Sequence, residues 1–76
     1  MKEILNTIIT NLVDDEQAVE IEETESEKAI AFEVKVSKKD MGKVIGKQGR
    51  LAQSIRTVMK AVAGKEHKRV TIEFVG

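Results

Sequence analysis

Cysteine, tryptophan and tyrosine are absent from these 76 residues, and only two phenylalanines and one histidine are present. Without cysteine, neither a disulfide framework nor a thiolate metal site can hold the chain together, so hydrophobic packing must do so. His67 has no cysteine or second histidine to share a metal with, and it reads as a surface residue. No metal or cofactor is expected. Phe32 and Phe74 both fall on inward phases of apolar alternations, which excludes an exposed aromatic platform for stacking bases. No apolar run approaches the roughly 20 residues that cross a bilayer. The first residues also lack the basic-then-apolar layout of a signal peptide. These absences lead to the expectation of a cytoplasmic protein without a membrane partner, built as one small domain over residues 1–76.

Net charge is also missing, but its zero total conceals a division. Residues 1 to 33 hold ten acids and two bases, whereas residues 34 to 76 hold three acids and eleven bases. The halves therefore carry about −8 and +8. Such segregation favours a polyanion as partner of the second half, with the acidic half discouraging binding elsewhere.

Periodicity supplies the elements. Ile4, Leu5, Ile8, Ile9, Leu12 and Val13 line one side of a helix that should stop near Val13, because Asp14, Asp15 and Glu16 suit neither its carboxyl end nor its dipole. Val19 and Ile21 then alternate with glutamates as a half-buried strand, Glu23 to Lys28 reads as a polar turn, and Ile30, Phe32, Val34 and Val36 mark a second strand. Strands joined so closely should form an antiparallel hairpin. Ser37 and Asp40 resemble a capping box for a short helix from Lys38 to Ile45. Gly46 to Gly49 breaks that helix. A longer one follows over about Arg50 to Ala63, with Leu51, Ile55, Val58, Met59 and Val62 on its apolar face and Gly64 placed to end it. After a basic loop, Val70, Ile72 and Phe74 face inward from a last strand. The order is α-β-β-α-α-β, an α+β fold. The two-helix crossover makes the second and third strands parallel, with all three helices on one face of a mixed three-stranded sheet.

The chemistry concentrates in Val44-Ile45-Gly46-Lys47-Gln48-Gly49-Arg50. Two glycines three positions apart let the backbone turn sharply and approach a ligand closely. Lys47 and Gln48 project from that turn as a cation and an amide, and a turn between helices needs neither of them for stability. A phosphate-binding P-loop is the nearest catalytic alternative, but Gly42 to Gly46 is one residue short, and Gln48 stands where a magnesium-binding Ser or Thr is required. The acids at 14–16 and 20–27 look like a solvated helix end and turn rather than a paired acid/base site. An enzyme is not expected. Gly42 reads as a packing residue where helices meet, and Ile45 as either core or an apolar floor beside the turn.

The glycine turn, set between two helices that a strand follows, resembles the signature of a KH domain, and the preceding helix and strand resemble its type II, bacterial arrangement. From the first helix to Gly76 the chain is similar to the small stand-alone bacterial KH proteins of the KhpA family. Ile55-Arg56-Thr57-Val58 is also similar, whereas Leu51 departs from the small polar residue common there. The resemblance implies a groove for about four nucleotides of single-stranded RNA, its backbone clamped by the glycine loop. It places Lys43, Ile45, Gly46, Lys47, Gln48, Gly49 and Arg50 in the RNA-binding site. Lys43, Lys47 and Arg50 supply cations, and the following helix directs its positive end at phosphate. An RNA chaperone or post-transcriptional regulator is the implied role. A homodimer, or a heterodimer with a larger KH-containing protein, is the implied partnership, with the helix after the turn as candidate surface. Nothing among the residues separates RNA from single-stranded DNA as ligand.

Overall fold

The computed structural model describes residues 1–75. The elements are α1 (Lys2–Thr10), β1 (Glu20–Glu25), β2 (Ala29–Lys35), α2 (Met41–Ile45), α3 (Arg50–Gly64) and β3 (Arg69–Val75), with single 3-10 turns at Glu16–Ala18, Lys38–Asp40 and Lys47–Gly49. The sheet order is β1-β2-β3, with β2 antiparallel to β1 and parallel to β3. The expected α+β order, hairpin and parallel crossover are all present, and the fold is that of a KH domain.

Alternation on β2 builds the floor of the core. Ile30, Phe32, Val34 and Val36 are buried on one face and meet Val70 and Ile72 of β3 in register. Leu5, Ile9 and Val13 close this layer from the amino-terminal helix and the turn after it, and Val44, Ala52, Ile55, Met59 and Ala63 close it from α2 and α3. Burying large aliphatic side chains of this kind stabilises by about 1.5–3 kcal/mol each.

Four local expectations are corrected. First, α1 ends at Thr10, earlier than the expected stop near Val13: the Asn11 N–H still donates to the Thr7 carbonyl at 3.2 Å, but the Leu12 N–H donates three residues back to Ile9 at 3.0 Å, which tightens the last turn. The chain nonetheless keeps turning, and the Val13 N–H donates to the Ile9 carbonyl at 3.2 Å, which carries Val13 into the core. Second, β1 continues through Glu23 to Glu25 in pairing with Phe32, Ala31 and Ile30, so the turn is shorter than expected. Strand pairing satisfies the backbone there and leaves the carboxylates exposed. Third, the stretch from Lys38 to Ile45 is a 3-10 turn followed by one helical segment, and Ser37 does not cap it through its side chain. Its hydroxyl donates instead to Asp40 Oδ2 at 2.9 Å. Fourth, the buried stripe of α3 is Ala52, Ile55, Met59 and Ala63, rotated from the expected one, and Val58 is 48% exposed. The small Ala52 and Ala63 let α3 sit close on the sheet, which turns Val58 outward.

Gly64 closes α3 but does not make the left-handed reversal that follows it. His67, at φ 59°, does so, and the Lys68 N–H donates back to the Ala63 carbonyl at 3.1 Å. Among the described residues, no helix is long and apolar enough to cross a membrane.

Candidate functional site

The turn between α2 and α3 departs furthest from ordinary backbone. Three of its four residues, Gly46, Gln48 and Gly49, have positive φ, at 76°, 56° and 75°. Gly46 adds extended ψ at 179°, a combination that is essentially reserved for glycine. A Cβ on Gly46 would lie 2.6 Å from Leu51 Cβ and 3.0 Å from Leu51 N, so the helix start packs directly against the glycine Cα. Gly49 has open space around it and is required only by its left-handed φ. Leu51 thus has a structural role: half-buried against the core, it forms the wall on which Gly46 rests.

This backbone path sets the side chains. Lys47, Gln48 and Arg50 are exposed, while Ile45 is half-buried and packs on the core beside them. Gly49 caps the amino end of α3, a helix of 15 residues, so the positive end of its dipole opens beside Lys47 and Arg50. Anions are stabilised at such an end. Gly42 is exposed, and a methyl group added to it would meet no atom within 4 Å, so it is not the packing residue expected; its carbonyl accepts the Gly46 N–H at 3.0 Å.

Lys43 sits differently from its neighbours. Its ammonium pairs with the Asp14 carboxylate and lies 3.7 Å from Asp40 Oδ1. Both acids hold its protonated form, the Asp14 hydrogen bond most strongly, and raise its pKa above the ordinary lysine value. Asp40 is fully buried, and its carboxylate accepts the N–H groups of Asp14 and Asp15 at 3.3 and 3.0 Å as well as the Ser37 hydroxyl. The Asp15 N–H contributes most to holding the Asp40 carboxyl below the usual range, against the opposing effect of burial. One carboxylate therefore ties the segment after α1 to the start of the helix that carries the glycine turn.

Beyond the turn, α3 borders the free edge of β3. Arg56 Nε donates to the Ile72 carbonyl at 3.4 Å, and the guanidinium lies 5.6 Å from the centroid of the half-buried Phe74 ring. A shallow hollow further along is lined by Lys60, Lys68, Arg69, Val70 and Thr71. On the open face of the sheet Glu22, Glu33 and Glu73 stand abreast in register, a row of like charges. The acidic and basic halves of the chain meet where Lys68 pairs with Glu25 and Lys43 with Asp14.

The sequence profile of the family described as KhpA/KhpB, KH domain, matches residues 2–74. This chain belongs to the KhpA/KhpB KH-domain family. An RNA-binding protein KhpA from Clostridium acetobutylicum is 53% identical over 75 residues, covering 99% of this chain and 100% of the relative. The proteins of that name from Listeria monocytogenes and Aquifex aeolicus are 41% and 40% identical, each over 99% of this chain and over 99% and 95% of their own lengths. No solved structure gives a significant match.

Within this KhpA/KhpB-family chain, six of the seven residues singled out by sequence, Ile45 to Arg50, lie together on the turn and its flanks, and the seventh, Lys43, is engaged by acids. Sequence reasoning assigned no function to Asp40 or Arg56. Asp40 carried a signal: it is one of only three acids in the basic half, inside Lys38-Lys39-Asp40-Met41-Gly42-Lys43. Arg56 was marked only by the family likeness of Ile55-Arg56-Thr57-Val58, since its contacts depend on where the edge of β3 falls.

Proposed function

We propose that this chain is a non-catalytic RNA-binding protein that holds a short single-stranded segment with the Gly46 to Gly49 turn as backbone clamp, acting as an RNA chaperone or post-transcriptional regulator. The observation that carries the reading is the turn itself. Its positive-φ backbone exposes Lys47 and Gln48 at the amino end of α3, where chain stability uses neither side chain. Sugar and phosphate approach the glycines, α3 N–H groups and Lys47 and Arg50 meet the charge, and Ile45 floors the adjacent base. From there the ligand leaves along the free edge of β3 beside Arg56, whose guanidinium is already engaged by the Ile72 carbonyl and the Phe74 ring. The relatives' name, RNA-binding protein KhpA, supports this reading. So does the scarcity of exposed aromatic surface, which makes backbone grip dominate over base readout.

The test is binding of a fluorescein-labelled oligouridine by anisotropy. A Lys47→Asp, Gln48→Asp variant should lose binding while melting near the parent temperature, and retained affinity with the fold intact would remove the turn as the site. Neutralising two phosphates with Lys47 and Arg50 predicts a log–log salt slope of about −1.4. An oligodeoxythymidine of equal length reports whether DNA is held equally well.

A second reading, an interaction module paired with another KH chain or with itself, is favoured by one observation. Val58 is exposed on α3, in a shallow hollow with Arg50, Gln53, Ser54 and Thr57.

A further inference from the structure

Lys43 lies three residues before Gly46 on α2, about one helical turn (~5 Å) from the clamp. It is thereby the third cation of the basic cluster, yet its ammonium is already matched by Asp14, with Asp40 at 3.7 Å. The two acids are not equivalent. The Asp40 carboxylate is buried and spends its oxygens on two backbone N–H groups and a hydroxyl, so its attachment to the fold does not depend on Lys43. The Asp14 side chain is 73% exposed and makes no other bond among the described residues; only its backbone N–H serves the fold, by donating to Asp40. An exposed carboxylate with no structural duty is thus placed to occupy a lysine beside an anion site.

We infer that Asp14 limits the affinity of the clamp by holding Lys43 away from the ligand's phosphates. The inference rests on the proposed RNA reading and adds to it a residue outside the glycine motif. RNA must then compete with an intramolecular carboxylate for the lysine, so the native protein engages one phosphate fewer than its cations allow. Release of the segment is correspondingly fast, as suits a protein that holds and exchanges strands. The competing carboxylate comes from the segment after α1, so displacement of that segment would raise affinity without any change in the clamp.

Asp14→Asn keeps the backbone N–H to Asp40 and therefore the fold, which a melting curve near the parent's verifies. Binding of oligouridine should tighten about two- to fivefold, the range expected from freeing one member of an exposed ion pair. The salt slope should steepen by about 0.7, the increment for one further phosphate on a single strand. Loss of an acid near an anion site also acts through space. Two controls separate that effect. Asp15→Asn removes the adjacent charge, which pairs with no cation among the described residues, and should leave the slope unchanged. In a Lys43→Gln background, Asp14→Asn should no longer steepen it. An unchanged slope in Asp14→Asn, an equal change in Asp15→Asn, or a change that persists with Lys43→Gln would each overturn the inference. Loss of binding in the Lys47→Asp, Gln48→Asp variant alongside any of these outcomes leaves the clamp reading standing and removes only Asp14 from it. Retained binding in that variant overturns both.

Discussion

Replacing Gly46 by alanine should be far more costly than the same change at Gly49, although the two glycines share nearly the same φ. At Gly46 the backbone, with φ 76° and ψ 179°, lies where a Cβ costs about 1–3 kcal/mol. The added methyl would also stand 2.6 Å from Leu51 Cβ and 3.0 Å from Leu51 N. Neither is the end of a flexible side chain, so the start of α3 must shift, at an overpacking cost of about 1–3 kcal/mol. The alanine restricts the unfolded chain and returns about 0.4–1 kcal/mol. A net loss of about 1–5.6 kcal/mol follows, centred near 3, which is severe for a domain of this size, whose total stability is on the order of 4–11 kcal/mol. At Gly49, where φ is 75°, ψ is 9° and no atom lies within 4 Å of the added carbon, only the left-handed penalty of about 1–2 kcal/mol applies. The same unfolded-state gain reduces the net to about 0–1.6 kcal/mol. Urea titrations of the three proteins, read as two-state transitions with a shared slope, measure the difference. In thermal melts, each kcal/mol appears as about 4–8 °C. Equal destabilisation of the two variants would refute the claim that packing on Leu51, beyond φ alone, demands the first glycine.

Two further outcomes are expected. Asp40 has its carboxyl pKa lowered below the ordinary 3.8, chiefly by the Asp15 N–H, so its contribution is present above that value and is lost as pH falls through the folded-state value. Asp40→Asn should be less stable than the parent at neutral pH and lose less below about pH 4; parallel acid-denaturation curves would count against Asp40 as the tie between the segment after α1 and α2. If α3 is an interface, Val58→Lys should shift light scattering toward monomer with little change in melting temperature, because the side chain is 48% exposed. A parent protein that is monomeric across the whole concentration series would dismiss this surface.

Much of the fold was legible because its rules are local. Alternation in β2 and β3 could be read directly, since inward Ile30, Phe32, Val34, Val70 and Ile72 differ in chemistry from outward Ala31, Glu33, Thr71 and Glu73. The glycine turn was equally plain. The face of α3 was read less well, because Leu51, Ile55, Val58, Met59 and Val62 form a plausible stripe by hydropathy alone, and the pull of Ala52 and Ala63 toward the sheet depends on close packing. The end of α1 was misplaced for a different reason: the last turn tightens at Leu12, whose N–H donates to Ile9, and hydrophobic periodicity does not register that change.

By itself the sequence determined the order of elements, the α+β class, the position of the glycine turn and the linear division of charge, because each follows from residue type and order along the chain. Tertiary structure alone decided which charges are free. Asp14 and Lys43 are 29 residues apart, and Asp40 meets the backbone of Asp14 and Asp15 across 26 and 25. A lysine in a basic run looks like its neighbours until the chain folds an acid against it. Coulomb attraction depends on distance in space, and sequence separation does not report that distance.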